Sequence, residues 1–178
     1  MKKITKLTPL FTREMIAKRV EEMAAEITEV YKDEPVIAIC VLKGGVIFFA
    51  DLVRQIKNKD LQLAFLTMSS YGAGTTSGDI KFSWTLNTDI ADKHVLIVED
   101  VVDTGHSMKF LLEEVRNRHP KSVRLAVMVD KYERREVEVH ADYVGFTMDK
   151  GFIVGFGLDF AGQYRTLPDI CVADWVEE

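Results

Sequence analysis

The chain is poor in the residues that disulfide frameworks, metal clusters and membrane spans require. Two cysteines among 178 residues build neither a disulfide framework nor a metal cluster, and Cys40, inside the apolar run VIAICV, reads as a buried, inert thiol, as does Cys171. No apolar window reaches the roughly 20 residues of a spanning helix, and the start, MKKITKLTPLFTREM, has no apolar stretch or small-residue cleavage site. A cytoplasmic protein with no membrane partner is the expectation. Prolines number four, no Pro- or Ser-rich linker interrupts the chain and no internal repeat is visible, so a single domain over residues 1–178 is expected. Positive charge is also in deficit: 23 Lys and Arg against 28 Asp and Glu give a net charge of −5, which opposes binding to nucleic acid but leaves room for a local pocket that receives a small anion.

What is present is an alternation of helical and strand-like patterns. Ile16, Val20, Met23, Ile27 and Val30 follow helical spacing behind Thr12, a suitable cap, with a stop at Asp33-Glu34-Pro35. VIAICV (36–41) is a continuous apolar run of the kind buried on both faces of a parallel sheet, and LKGG then turns the chain. Val46, Phe49, Ala50, Val53 and Ile56 share a helical face, and LQLAFLTM (61–68) is strand-like again. SSYGAGTTSGD (69–79) lacks apolar periodicity and exceeds a hairpin turn, which predicts a mobile loop. VLIV (95–98) is a further buried strand, Met108, Leu111, Leu112 and Val115 make a helical face ended by His119-Pro120, and VRLAVMV (123–129) is the next strand. After Lys131 the helical period disappears; DYVGF, FIVGFGLDF and ICVA read as short strands of an irregular lobe packed on the sheet. The fold class is therefore α/β, a parallel sheet flanked by helices, with ligands expected beyond the carboxyl ends of its strands.

That edge is where VLIVEDVVDTGHSM (95–108) places its chemistry. Glu99 and Asp100 end the apolar run, and DTGHS supplies a glycine, hydroxyls and the free N–H groups of a helix start, a combination suited to a phosphate monoester. The acid pair repels phosphate but accepts hydrogen bonds from sugar hydroxyls or holds a hydrated Mg2+. Ribose beside phosphate satisfies both halves. Alone, the acids could be solvated loop residues and DTG a helix cap. A phosphorylation receiver domain also ends such a strand in paired acids, but here the strand comes mid-chain and leaves too little sequence for the remaining units.

The same stretch resembles the phosphoribosyl pyrophosphate (PRPP) signature of the type I phosphoribosyltransferases. LKGG (42–45), SSYGAGTTSGDIK (69–81) and DYVGFTMDKGFIVGFGLDFAGQYR (142–165) are similar to the hypoxanthine-guanine branch of that family, in the family's order. The resemblance implies the type I fold with a small hood lobe made from the N-terminal and C-terminal segments. It also implies a purine-salvage reaction: transfer of 5-phosphoribosyl from PRPP to N9 of hypoxanthine or guanine, with release of pyrophosphate. By the resemblance, Asp103, Thr104, Gly105, His106 and Ser107 wrap the 5′-phosphate, with His106 standing where relatives often carry Lys. Glu99 and Asp100 hold the ribose hydroxyls directly or through Mg2+, and Asp159 is a second metal-site acid. Lys43 and Gly44 face pyrophosphate in a loop that in relatives often carries a non-proline cis peptide, Leu42-Lys43 being the matching bond. Arg165 contacts the departing pyrophosphate, and Ser70 and Tyr71 belong to a loop that closes over the reacting centre. Asp103 is the general acid or base near N7 of the purine, Phe152 stacks on the base and Ile153 reads its edge through the backbone. The donor to the 6-oxo group is either His140, by spacing from DYVGF, or Lys131. A homodimer or homotetramer is implied as well.

Two other readings compete. A xanthine-preferring transferase would handle PRPP identically. A PRPP-sensing regulator of nucleic acid would need a basic face, yet the concentrated cations, RNRHPK (116–121) and ERR (133–135), have acidic neighbours and read as solvated surface.

Overall fold

The computed structural model of the chain describes residues 2–71 and 81–177, with the main chain alone at residues 2, 69–71 and 81–84. Nine strands and three helices are assigned among the described residues. β1 (Lys2–Phe11) leads into α1 (Arg13–Tyr31), β2 (Val36–Leu42), α2 (Val46–Val53), β3 (Leu61–Tyr71) and β4 (Lys81–Thr85). β5 (His94–Val102), α3 (His106–Arg116), β6 (Ser122–Lys131), β7 (Tyr143–Met148), β8 (Ile153–Val154) and β9 (Ile170–Glu177) follow.

The main sheet has the order β4-β3-β2-β5-β6-β7, parallel throughout except for antiparallel β4 at one edge. Its central strands are apolar without interruption because alternate residues enter different cores. Val36, Ala38 and Cys40 of β2 join Leu96 and Val98 of β5 under α1 and α2, whereas Ile37, Ile39 and Val41 join Val95 and Ile97 under α3. Burial pushes the Cys40 thiol up to about 12, in keeping with an inert core residue.

Each helix reports how far periodicity alone reaches. Thr12 caps α1, its hydroxyl accepting from the Met15 amide. The buried stripe of α1 is the expected one as far as Ile27, but Tyr31 then enters the core and Val30 stays exposed. In α3 the buried face is the expected Met108, Leu111, Leu112 and Val115, and such buried aliphatic side chains contribute roughly 1.5–3 kcal/mol each. In α2 the face differs. Phe48, Phe49 and Leu52 are buried while Val46 and Ala50 are exposed, because a helix apolar on nearly every side has no sequence-defined face and turns its largest side chains inward.

The segment after Lys131 divides in two. DYVGF does not belong to a separate lobe, since β7 pairs in parallel with β6 and completes the main sheet, so that Tyr143 and Met148 are buried. The lobe is instead the antiparallel sheet β1-β9-β8, which unites the two ends of the chain. The long loop expected at 69–79 begins on the end of β3, where Ser70 and Tyr71 pair with residues 82 and 81 of β4; residues 72–80 lie outside the described structure. No helix among the described residues is long and apolar enough to cross a membrane.

Candidate active site

Strand order decides where a ligand can enter. The crossover after β2 runs through α2 to β3, and the crossover after β5 runs through α3 to β6 on the opposite face and in the opposite direction. Between the carboxyl ends of β2 and β5 the sheet therefore opens a crevice that no crossover covers. The LKGG turn leaves one wall of it and VVDTGHS the other. A cavity of about 240 Å3 lies there, lined by Leu42, Met68, Glu99, Asp103, Thr104, Gly105 and Ser107 with neighbouring apolar residues.

The acids sit within β5 rather than past its end, since the strand continues to Val102. Strand alternation gives them different neighbours: Glu99 lines the cavity, and Asp100 turns to Gly44, where an added Cβ would stand 1.7 Å from its Oδ2. Glu99 Oε2 is buried with no hydrogen-bond partner. Burial, reinforced by the adjacent Asp100 charge, pushes the Glu99 carboxyl well above the ordinary range. Burial raises Asp100 too, against the pull of the Val101 amide, which donates to its Oδ1 at 2.8 Å, and of the Arg165 charge. Two buried, mutually repelling carboxyls are an arrangement that a cation or a set of ligand hydroxyls relieves.

The loop between β5 and α3 is shaped for an anion. Gly105 holds φ +92°, which opens the start of α3 without a side chain, and Thr104 and Ser107 place hydroxyls beside it. His106 is not among the cavity-lining residues; its Nε2 lies 2.9 Å from Glu136 Oε2.

A second group meets the loop from the carboxyl end of β6. Lys131 is buried, with Nζ 3.6 Å from Asp103 Oδ1 and 3.5 Å from Glu133 Oε2. Glu133 also accepts the Gly151 amide at 3.0 Å, which ties this cluster to the segment carrying Phe152 and Ile153. Phe152 is exposed and edge-on to Phe160, with ring centroids 5.7 Å apart, while Ile153 is buried in β8. His140 is elsewhere. It lines a depression of about 400 Å3 with Lys109, Glu113, Arg116 and Asp142, against α3 and ahead of β7, and so beside the amino ends of the parallel strands.

The third group comes from the lobe. Arg165 donates from Nη1 to the Gly157 carbonyl at 2.6 Å and pairs through Nη2 with Asp159 Oδ1 at 2.6 Å, while Asp159 Oδ2 accepts the Gly162 amide. Gly157, at φ +102°, presses on the LKGG turn so closely that a Cβ would meet the Gly44 carbonyl oxygen at 2.1 Å. The Leu42-Lys43 peptide is cis, and Lys43 is exposed. Among the described residues no three His, Cys, Asp or Glu gather tightly enough to cage a metal. Glu99 and Asp100 on the sheet and Asp159 on the lobe are thus separate oxygen donors, which suits Mg2+, an ion that keeps several waters and binds through one or two carboxylates together with substrate phosphates.

The reading of ERR (133–135) as solvated surface holds for Glu133 and Arg134, which are exposed, but fails for Arg135, and Glu136 carried no sequence reading at all. Arg135 is largely buried, which an ERR tripeptide among acids does not reveal, although its position just past the end of an apolar strand was a usable sign.

Residues 9–161 match the family described as the phosphoribosyl transferase domain. The chain is 41% identical over 164 residues to a hypoxanthine-guanine phosphoribosyltransferase of Bacillus subtilis, covering 92% of this chain and 91% of the relative. It is 44% identical over 163 residues to a hypoxanthine-guanine phosphoribosyltransferase of Dictyostelium discoideum, covering 89% and 91%. The crystal structure of a hypoxanthine-guanine phosphoribosyltransferase from Bacillus anthracis superposes with a TM-score of 0.86 at 36% identity, over 98% of this chain and 99% of that one.

Proposed function

We infer the reaction from family membership: the chain belongs to the phosphoribosyl transferase domain family, and its site is that of an enzyme transferring 5-phosphoribosyl from PRPP to N9 of hypoxanthine or guanine. The observation that carries this reading is the cavity at the β2/β5 switch point, where Glu99, Asp103, Thr104, Gly105 and Ser107 share one wall and Lys131 stands 3.6 Å from Asp103.

The loop Asp103–Ser107 receives the 5′-phosphate through its amides and hydroxyls. Glu99 and Asp100 accept from the ribose 2′ and 3′ hydroxyls and fix the ring while its C1–O bond lengthens. In the substrate complex, where binding displaces the proton that burial holds on Glu99, the negative charge of the pair favours the cationic character that the sugar gains as that bond breaks. Lys43, Gly44 and Arg165 surround the departing pyrophosphate. Glu99 and Asp100 on one side and Asp159 on the other are the residues that would hold Mg2+, whose contribution is to neutralise charge developing on the leaving group. Phe152 offers a ring face to the base and Ile153 its backbone. Asp103 takes up or returns the N7 proton as N9 attacks. The same reading makes the protein a cytoplasmic homodimer or homotetramer, with no nucleic-acid partner.

Of the two candidate donors to the purine 6-oxo group, Lys131 is the one in contact with Asp103, and His140 faces the other end of the sheet. Lys131→Met is expected to raise KM for the base about tenfold or more, the scale of losing a charged hydrogen bond, whereas His140→Ala leaves it unchanged in steady-state assays. The function itself is tested by incubating purified protein with PRPP, Mg2+ and hypoxanthine, guanine or xanthine in turn and measuring nucleotide and pyrophosphate. Product from hypoxanthine or guanine, lost on chelation of Mg2+, is expected. Product from xanthine alone would overturn the specificity, and product from no base the enzyme reading.

A further inference from the structure

We propose that Arg135, helped by the main-chain amides of Glu136 and Val137, is a positioning residue that aims the phosphate-binding loop; this rests on the reading of residues 103–107 as the 5′-phosphate site. Three successive carbonyls leading into that loop, those of Val102 at the end of β5, Asp103 and Thr104, are engaged by residues 135–137. Arg135 Nη2 donates to the Val102 carbonyl at 2.9 Å and Nε to the Asp103 carbonyl at 3.0 Å, and the amides of Glu136 and Val137 both donate to the Thr104 carbonyl at 3.0 Å. In a trans peptide the C=O and the following N–H point in opposite directions, and the one cis bond among the described residues is elsewhere, at Leu42-Lys43. Holding those carbonyls therefore turns the N–H groups of Asp103, Thr104 and Gly105 away from the 135–137 segment, which does not line the cavity. The amides face an anion because their carbonyls are held at the back.

Arg135 is itself held. Its side chain is 14% exposed, it forms a close ion pair with Asp130, it donates to the Lys131 carbonyl at 2.9 Å, and its guanidinium lies 5.4 Å from the centre of the Tyr132 ring. A planar, forked cation can serve several fixed acceptors at once, which a lysine cannot. Gly105 completes the fit, since a Cβ there would stand 2.3 Å from the Val137 carbonyl oxygen.

The test separates aiming from charge and from general stability. GMP and guanosine are titrated calorimetrically into the intact wild-type protein, Arg135→Gln and Arg135→Lys, with melting temperatures recorded. The wild type is expected to bind GMP far more tightly than guanosine. In Arg135→Gln the affinity for GMP is expected to fall at least ~10-fold while that for guanosine changes less than ~2-fold. Arg135→Lys, which keeps the charge but not the fork, is expected to lose GMP affinity as well, though less, and decides the matter if the Gln variant does not fold. Variants that keep the full GMP preference, or that lose both ligands equally, overturn the role of Arg135 alone. A wild-type protein that gains nothing from the 5′-phosphate overturns the reading of the loop, and this inference with it.

Discussion

Asp103→Asn is expected to lower kcat by about 10²–10⁴-fold, the usual share of a general acid or base, while the Kd of PRPP moves by less than about threefold. The asymmetry follows from how the residue is held. Its main-chain carbonyl belongs to the Arg135 contact and survives the change, so the phosphate loop keeps its course. Its carboxylate is a different matter: Oδ1 is buried without a hydrogen-bond partner and 3.6 Å from Lys131 Nζ, and Oδ2 is 3.3 Å from Arg134 Nη1. An oxygen buried and left without a hydrogen bond at the mouth of a cavity is available to a ligand proton, and an amide at the same place cannot take that proton. Lys131 retains Glu133 as a partner in the variant, so the fold is not expected to suffer. Burst and steady-state kinetics with PRPP and hypoxanthine, together with direct PRPP binding, measure both quantities. A variant that turns over normally would remove Asp103 from the chemistry, and one that fails to bind PRPP would make it a binding residue instead.

Glu99→Gln carries an effect of opposite sign on stability and on activity. Activity, as kcat/KM, is expected to fall about 10- to 100-fold, since a charged acceptor for a ribose hydroxyl or for Mg2+ is lost. The ligand-free protein is expected to become more stable at neutral pH, by about 1–3 kcal/mol and hence several degrees in Tm. The folded state holds the Glu99 carboxyl well above its ordinary range, through burial and the neighbouring Asp100. Below the ordinary carboxylate range both folded and unfolded chains carry the proton, and the site costs nothing in charge. As pH rises through that range the unfolded chain releases its proton and the folded chain does not, so stability falls until the folded-state value is passed. Asp100, also raised by burial, adds to the slope. The glutamine variant should therefore flatten the decline of Tm from acid to neutral pH, and Mg2+ with PRPP should narrow the gap by stabilising the wild type more. An unchanged or lower Tm at neutral pH would mean that the acid pair is not strained in the free protein.

Both effects have a common origin. The site gathers carboxylates where the fold must desolvate them, at the inner end of a parallel sheet, and on the proposed function the substrate would carry the compensating groups. The lobe seals the same place from the other side, with Gly157 against Gly44 and Gly44 against Asp100, so that the acid pair, the LKGG turn and the Gly157 segment are in register through contacts that admit no side chain on either glycine.

The sequence by itself determined whatever lies within one contiguous stretch: the buried strands, the capped first helix, the face of α3, and the acid pair followed by the glycine-containing turn into a helix in VLIVEDVVDTGHSM. Hydrophobic period and turn chemistry are local, and such groups are carried to the sheet edge together. Only the tertiary structure decided which residues from other strands meet them. It sent Lys131 to Asp103 and His140 to the far end of the sheet, placed DYVGF in the main sheet, chose the buried face of α2, and brought Arg135 of the ERR tripeptide onto the main-chain carbonyls of Val102 and Asp103. The reason is that strand order and crossover side are set by how whole surfaces pack, so two residues equally plausible by spacing finish at opposite ends of the same sheet.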